Sequence, residues 1–329
     1  MATDAAKARE RAGAARRILV IKLSALGDFI HAFHPFAAIR ARHPEAHITL
    51  LTTRPFVAMA KASPWFDAVI EDERAPWWKF SALPALKRAL QGFDLVYDLQ
   101  TADRSARYFR LAGRPLWSGI APGCALPHAN PDRDRMHTLE RQRDQLQMAG
   151  VTDFPLPDKD WLVALGSDHG LKRPFVMLVI GGAGKGSPKR WPADRYGELC
   201  QRLLARNLTP VLIGARLEEA IGAEIEAAAP GVVNLVGKTS IPDLATIARK
   251  ADLALGNDSG PLQLAAAVGA PTLALFSNHT RPAEVAPRGP AGEWAKVLQK
   301  PHLSELSVEE VEAALDEILN ENRSSQPPR

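Results

Sequence analysis

The hexapeptide Gly256-Asn257-Asp258-Ser259-Gly260-Pro261 follows an apolar run and opens a run of small residues. As a strand-to-helix turn it leaves the N–H groups of Ser259, Gly260 and Leu262 pointing out of a helix start, and Pro261 suits the first helical position. Such a start attracts an anion, phosphate above all. Asp258 beside it does not help phosphate alone. It suits a ligand that also offers hydroxyls, as a nucleotide sugar does. The plain alternative is that Asp258 or Ser259 caps the helix and the turn binds nothing.

Two further stretches carry chemistry. Gly181 to Lys189, GGAGKGSPK, is a glycine-rich loop after an apolar strand. With Lys185 and Lys189 it can cradle a diphosphate, or it is a solvated connector. It is not a Walker A loop, which needs glycine at 179 and Ser or Thr at 186, where this chain has Val179 and Gly186. Near the start, Leu23-Ser24-Ala25-Leu26-Gly27-Asp28 follows the apolar strand Arg17–Lys22. An acid at a helix start can take a proton from a hydroxyl, or simply cap the helix. With one glycine, this turn is no dinucleotide fingerprint. Arg104, Arg107 and Arg110 at helical spacing, with Arg133, Arg135 and Arg141, can meet an anionic partner or form a solvated charged face. Trp77-Trp78-Lys79 can touch a membrane or a sugar, or pack on the domain. His31, His34 and His137 have no ligand spacing, and Cys124 and Cys200 form neither a disulfide framework nor a metal motif. No metal and no cofactor is expected.

The elements that position these residues alternate. Strands at 17–22, 48–52, 68–71, 94–99 and 116–120 are interleaved with helices at 29–42, 55–62, 81–91, 104–111 and 136–149. The stretch 151–173, with Pro155, Pro157, several glycines and aspartates and Pro174 just beyond, marks a boundary. The alternation then restarts. Strands are expected at 175–180, 210–214, 232–236, 253–255, 272–276 and 295–298. Helices are expected at 193–206, 217–229 and 241–249, then after the 256–260 turn, and last at 304–320, capped by Ser304 or Ser307. This pattern predicts two Rossmann-like, doubly wound α/β domains facing a cleft, at 17–165 and 173–303, with a closing helix at 304–322.

Composition agrees with a globular protein: 329 residues, 46% hydrophobic and 24% charged, with no apolar run long enough to span a bilayer. The first seventeen residues contain Asp4 and Glu10 and lack an apolar core, so no signal peptide is expected and the location is cytoplasmic. A net charge of +4 suits an acidic partner, a phosphorylated substrate or an anionic membrane surface. No nucleic-acid module is recognisable.

Taken together, Ile21-Lys22-Leu23-Ser24-Ala25-Leu26-Gly27-Asp28, Lys189-Arg190-Trp191-Pro192 and Gly256-Asn257-Asp258-Ser259-Gly260-Pro261 with Ala265-Ala266 resemble the ADP-heptose:lipopolysaccharide heptosyltransferases, glycosyltransferase family 9, of GT-B architecture. The resemblance spans about residues 17 to 320. It implies an inverting, metal-independent transfer of heptose from ADP-heptose to an anionic lipopolysaccharide-core acceptor, with the protein peripheral at the inner face of the inner membrane. It also implies a general base at Asp28, a donor-phosphate contact at Lys189, an acid for the adenosine ribose at Glu218 and an adenine neighbour at Thr239. Asp258, Ser259 and Gly260 become the donor-sugar and phosphate loop, and the first domain holds the acceptor. Gln263 stands where the family usually has histidine. It can donate a hydrogen bond but carries no positive charge. Another nucleotide-sugar donor or acceptor, or a non-catalytic nucleotide-sugar binder, is the alternative.

Overall fold

The computed structural model describes residues 2–76, 78, 81, 83–182 and 189–325. It divides after Pro157 into two units. The first contains α1 (Ala2–Gly13), β1 (Arg17–Ile21), α2 (Leu26–His31), α3 (Phe33–Arg42), β2 (His47–Thr52), α4 (Arg54–Ala62) and β3 (Ala68–Glu71). It continues with α5 (Leu83–Ala89), β4 (Leu95–Asp98), α6 (Asp103–Leu111), β5 (Leu116–Gly119), β6 (Leu126–Pro127) and α7 (Thr138–Met148). The second begins with α8 (Asp160–Ala164), β7 (Phe175–Val179), α9 (Ala193–Ala205), β8 (Thr209–Ile213), α10 (Glu219–Ala228), β9 (Val233–Asn234) and α11 (Ile241–Lys250). It ends with β10 (Leu253–Asn257), α12 (Gly260–Ala267), β11 (Thr272–Ser277), α13 (Pro282–Val285), β12 (Lys296–Lys300) and α14 (Val308–Ser325).

Each unit is built on a parallel six-stranded sheet, in the order β3-β2-β1-β4-β5-β6 and β12-β11-β10-β7-β8-β9. Read from the other edge, the second order repeats the first. Strands buried on both faces, such as Phe175–Val179 and Thr272–Ser277, are largely apolar because helices cover both sides. In both sheets the strand order reverses between the first and fourth strands, the place where open α/β sheets bind ligands.

Four expectations change. The helix expected over 29–42 is two helices, parted at Ala32, because Pro35 offers no N–H to His31 and so cannot continue the ladder. The polar turn expected from Gly256 begins later, since Gly256 and Asn257 are the buried end of β10. Residues 158–165, expected in the first domain, pack on the second unit. Thr246 Oγ1 donates to Val163 O at 2.6 Å, Arg249 Nη2 meets Asp160 Oδ1 at 2.8 Å, and a Cβ on Gly166 would stand 2.2 Å from Pro242 O. The division after Pro157 falls inside the stretch 151–173 that the prolines and glycines mark, but earlier in it than the expected end at 165. The closing helix runs to Ser325 and is capped by Ser307 in a reciprocal box: Ser307 N donates to Glu310 Oε2 at 3.0 Å and Glu310 N to Ser307 Oγ at 3.2 Å. It packs into the second unit's core beside Trp191, tied by Arg202 to Glu309 and Glu312 and by Arg206 to Glu312 and Asp316. Among the described residues, no helix is long and apolar enough to cross a membrane.

Candidate active site

In the second unit Lys189, Asp258, Ser259, Gly260 and Gln263 lie where β7 and β10 end. Gly256 is required there by close strand packing: a Cβ would stand 2.3 Å from Val179 O. Asn257 is fully buried and acts as a pin, donating from Nδ2 to Ile180 O and Gly181 O at 3.1 Å each and accepting at Oδ1 from Trp191 N at 2.9 Å. It thereby joins the ends of both strands to the Lys189-Arg190-Trp191-Pro192 segment. Trp191 is core, its indole N–H donating to Leu306 O at 2.9 Å.

Lys189 Nζ lies 3.5 Å from Asp258 Oδ2. Burial pushes the Asp258 carboxyl up from its usual range, with Lys189 the main opposing influence. Neither Asp258 nor Ser259 caps α12: no side chain bonds to its start, and Ser259 Oγ is buried with no hydrogen-bond partner among the described residues. Gln263, one turn on, is buried. Its Nε2 donates to Val285 O at 2.7 Å, which ties α12 to α13, while Oε1 has no partner among the described residues. An unmet hydroxyl and an unmet amide oxygen beside a lysine–carboxylate pair suit a ligand with both phosphate and hydroxyl groups.

Glu218 lies in the same neighbourhood but is already engaged. Its Oε1 accepts from Arg190 Nη2 at 2.9 Å and its Oε2 from Ala215 N at 2.9 Å, and Arg190 also donates to Gly182 O at 3.1 Å. Thr239 is half-buried, just before α11. Lys185 falls outside the described residues, as do Trp77 and Lys79, while Trp78 is exposed.

In the first unit Asp28 is the third residue of α2, half-buried, and not its cap: the N-cap is Ala25, with no side-chain bond. Its carboxylate makes no hydrogen bond or ion pair among the described residues. Beneath it Lys22 is buried, with Nζ 3.3 Å from Leu99 O. Burial pushes the Lys22 ammonium down, Asp28 and Asp98 draw it up, and Arg141 lowers it further. Asp98 is fully buried at the end of β4, its carboxyl pushed up to about 6 by burial against hydrogen bonds from Ser105, Thr101 and Gln100. His31 packs edge-on to His137 with ring centroids 5.0 Å apart.

Arg104 is tied into structure, donating to Tyr108 Oη at 2.7 Å and Ala75 O at 3.0 Å, with Asp72 3.9 Å away. Arg107 is exposed on the same helix. The sequence reading gave no role to Lys22, Asn257 or Arg190, and it missed Asp98 and Gln100 altogether. The available signal was position: Lys22, Asp98, Gln100 and Asn257 follow or end a buried strand at the carboxyl edge of its sheet, while Arg190 just precedes α9.

A family model described as glycosyltransferase family 9 (heptosyltransferase) matches residues 84–314, well over half of the chain. The chain belongs to this family. It is accordingly a glycosyltransferase of the heptosyltransferase group. Lipopolysaccharide heptosyltransferase 2 of Salmonella typhimurium is 33% identical over 293 residues, covering 79% of this chain and 82% of that one. Among solved structures, the family 9 glycosyl transferase of Veillonella parvula superposes with a TM-score of 0.78 at 23% identity, covering 93% of this chain and 97% of that one. Escherichia coli heptosyltransferase WaaC with ADP gives 0.73 at 20% identity, over 92% of this chain and 99% of that one. These likenesses bear on the fold, which is GT-B.

Proposed function

We propose that this family 9 enzyme transfers heptose from ADP-heptose to an anionic lipopolysaccharide-core acceptor, with inversion and without a metal ion, as a peripheral protein at the cytoplasmic face of the inner membrane. The observation that carries the donor reading is the pair Lys189–Asp258 beside the uncapped start of α12. Lys189, Lys185 and the helix-start N–H groups meet the diphosphate. Asp258, Ser259 and Gly260 meet the sugar and its phosphate, and Gln263 Oε1 accepts from a donor hydroxyl. Glu218 and Thr239 border the nucleoside. The names of relatives and neighbours, which speak of lipopolysaccharide heptosyltransferases and of ADP, support this choice of donor.

In the reaction Asp28 accepts the proton of an acceptor hydroxyl as its oxygen attacks the anomeric carbon opposite the diphosphate. The bond from that carbon to the diphosphate oxygen breaks, and ADP leaves with its developing charge met by Lys189 and the start of α12. A single displacement inverts the configuration. Arg107 faces the acceptor's negative charge, and Arg104 supports the same helix.

Calorimetric binding of ADP against UDP, GDP and NAD, followed by turnover of ADP-heptose on a deacylated core acceptor with and without a chelator, tests the proposal. ADP should bind best and turnover should survive chelation. In Asp28→Asn, kcat should fall about 10²- to 10⁴-fold with donor binding retained. Preference for UDP or GDP would sink the heptose assignment, and donor binding without turnover on any core acceptor would favour a binding protein.

A further inference from the structure

Asp28 lies in the first turn of a short element whose second half is packed in the core: Phe29, Ile30 and His31 are buried, and Phe29 stacks on Phe56 with ring centroids 4.6 Å apart. Its helix α2 has six residues and no side-chain cap, too short to hold a carboxylate in place by its own hydrogen bonds. Core packing fixes the far end of α2, and the four residues 22–25 that lead into it fix the near end, where Asp28 stands. Their anchors come from neighbouring strands. Lys22 N donates to Leu51 O at 3.1 Å, and Thr53 Oγ1 donates to Leu23 O at 2.7 Å. Arg74 Nη1 reaches Ser24 Oγ from outside at 3.5 Å, and the two main-chain N–H groups at the centre of the loop share one atom. Gln100 Oε1 accepts from Leu23 N at 2.8 Å and from Ser24 N at 3.1 Å.

The residue after Gln100 is held under strain. That residue, Thr101, has φ of 44°, a left-handed conformation that a β-branched residue rarely adopts. It persists because Asp98 Oδ1, fully buried, accepts from both Gln100 N and Thr101 N at 3.1 Å. Gln145 Nε2 in turn donates to Asp98 O at 3.0 Å. Lys22 Nζ closes the arrangement on Leu99 O. A buried carboxylate, a strained turn and a two-for-one amide acceptor thus all bear on the loop that carries Asp28.

We propose that Gln100 is a positioning residue for the transfer reaction: it fixes the loop between β1 and α2 and so aims the Asp28 carboxylate at the acceptor hydroxyl. This rests on Asp28 being the base. A glutamine suits the task because it is neutral. It satisfies two backbone donors without adding a charge beside Lys22 and Asp28, and no main-chain carbonyl supplies that pair of bonds. Misplacement of a reacting group by about 1 Å can cost on the order of 10²-fold in rate, so loss of this one side chain should be felt in turnover.

The test uses the full-length protein with the parent assayed first on ADP-heptose and a deacylated core acceptor; an inactive parent overturns the donor reading, not the positioning role. With an active parent, Gln100→Ala should lower kcat about 10- to 100-fold, leave the donor dissociation constant unchanged, and raise amide exchange at Leu23 and Ser24. Gln100→Glu keeps an oxygen at the same reach and should restore slow exchange and part of kcat. Gln100→Asn, one methylene shorter, should behave like the alanine variant. Unchanged kcat or unchanged exchange in Gln100→Ala overturns the proposal, as does equal turnover in Gln100→Asn and Gln100→Glu. If the alanine variant does not fold, the comparison of these two decides.

Discussion

Lys189 and Asp258, both expected to touch the donor, form a charge pair at the carboxyl edge of the second sheet, and the pair sets what each can do. A lysine 3.5 Å from a half-buried carboxylate is held at the loop that the donor reading assigns to the phosphates. Lys189→Ala should weaken ADP binding about 10- to 100-fold, the equivalent of one or two charge-assisted hydrogen bonds. Titration calorimetry on parent and variant reads this directly, and equal affinities would remove Lys189 from the donor site. Asp98 makes a different prediction. Its folded value, pushed up to about 6, stands above the ordinary 3.8. Folding therefore favours its protonated form, and that stabilisation is complete below about pH 4 and lost as pH rises through 6. A rise of this size corresponds to roughly 3 kcal/mol at full expression. Asp98→Asn keeps an oxygen for Gln100 N and Thr101 N but does not titrate, so it should gain stability relative to the parent between about pH 4 and 6. Urea unfolding at the two ends of that window measures the difference; a gap that stays constant with pH would contradict it.

At the scale of elements, Gly256 shows how a motif residue can be about packing and nothing else. β10 runs between β7 and β11, and a Cβ at 256 meets the Val179 carbonyl at 2.3 Å and its Cβ at 2.7 Å. Backbone at the middle of a sheet cannot yield, so Gly256→Ala should cost about 3 kcal/mol or more and abolish donor binding through the fold. Denaturant unfolding would show it, and a loss within about 0.5 kcal/mol, typical of a surface change, would mean that the strands can move apart. Elements of this kind were legible in the sequence. The apolar runs and their alternation give both parallel sheets, because strands covered on two faces leave no other pattern. What the pattern missed depends on contacts distant along the chain. Nothing local in Asp160–Ala164 says that this helix docks on Thr246 and Arg249. Nothing in Asp98-Leu99-Gln100 says that the glutamine reaches back to Leu23 and Ser24. The alternative of plain caps at Asp28 and Asp258 does not hold for a related reason: the residue type favours capping, but the helices begin two residues earlier in one case and two residues later in the other.

At the scale of the whole chain, the same strand order occurs twice, and the residues proposed for chemistry fall at corresponding places in both copies. Asp28 and Gln100 follow the first and fourth strands of one sheet, while the Gly181 loop and Asp258 follow the matching strands of the other. Every strand pairing stays within one sheet, and the division between Pro157 and Asp158 severs no ladder. That division makes the chain recombinable. A crossover between family members placed at Pro157 would inherit each sheet whole, whereas one placed at 165 would part α8 from the Thr246 and Arg249 contacts that hold it. On the proposed division of labour, chimaeras joined at Pro157 would exchange acceptor preference while keeping their nucleotide, so diversity in what the family glycosylates can arise by trading halves as well as by changing single residues.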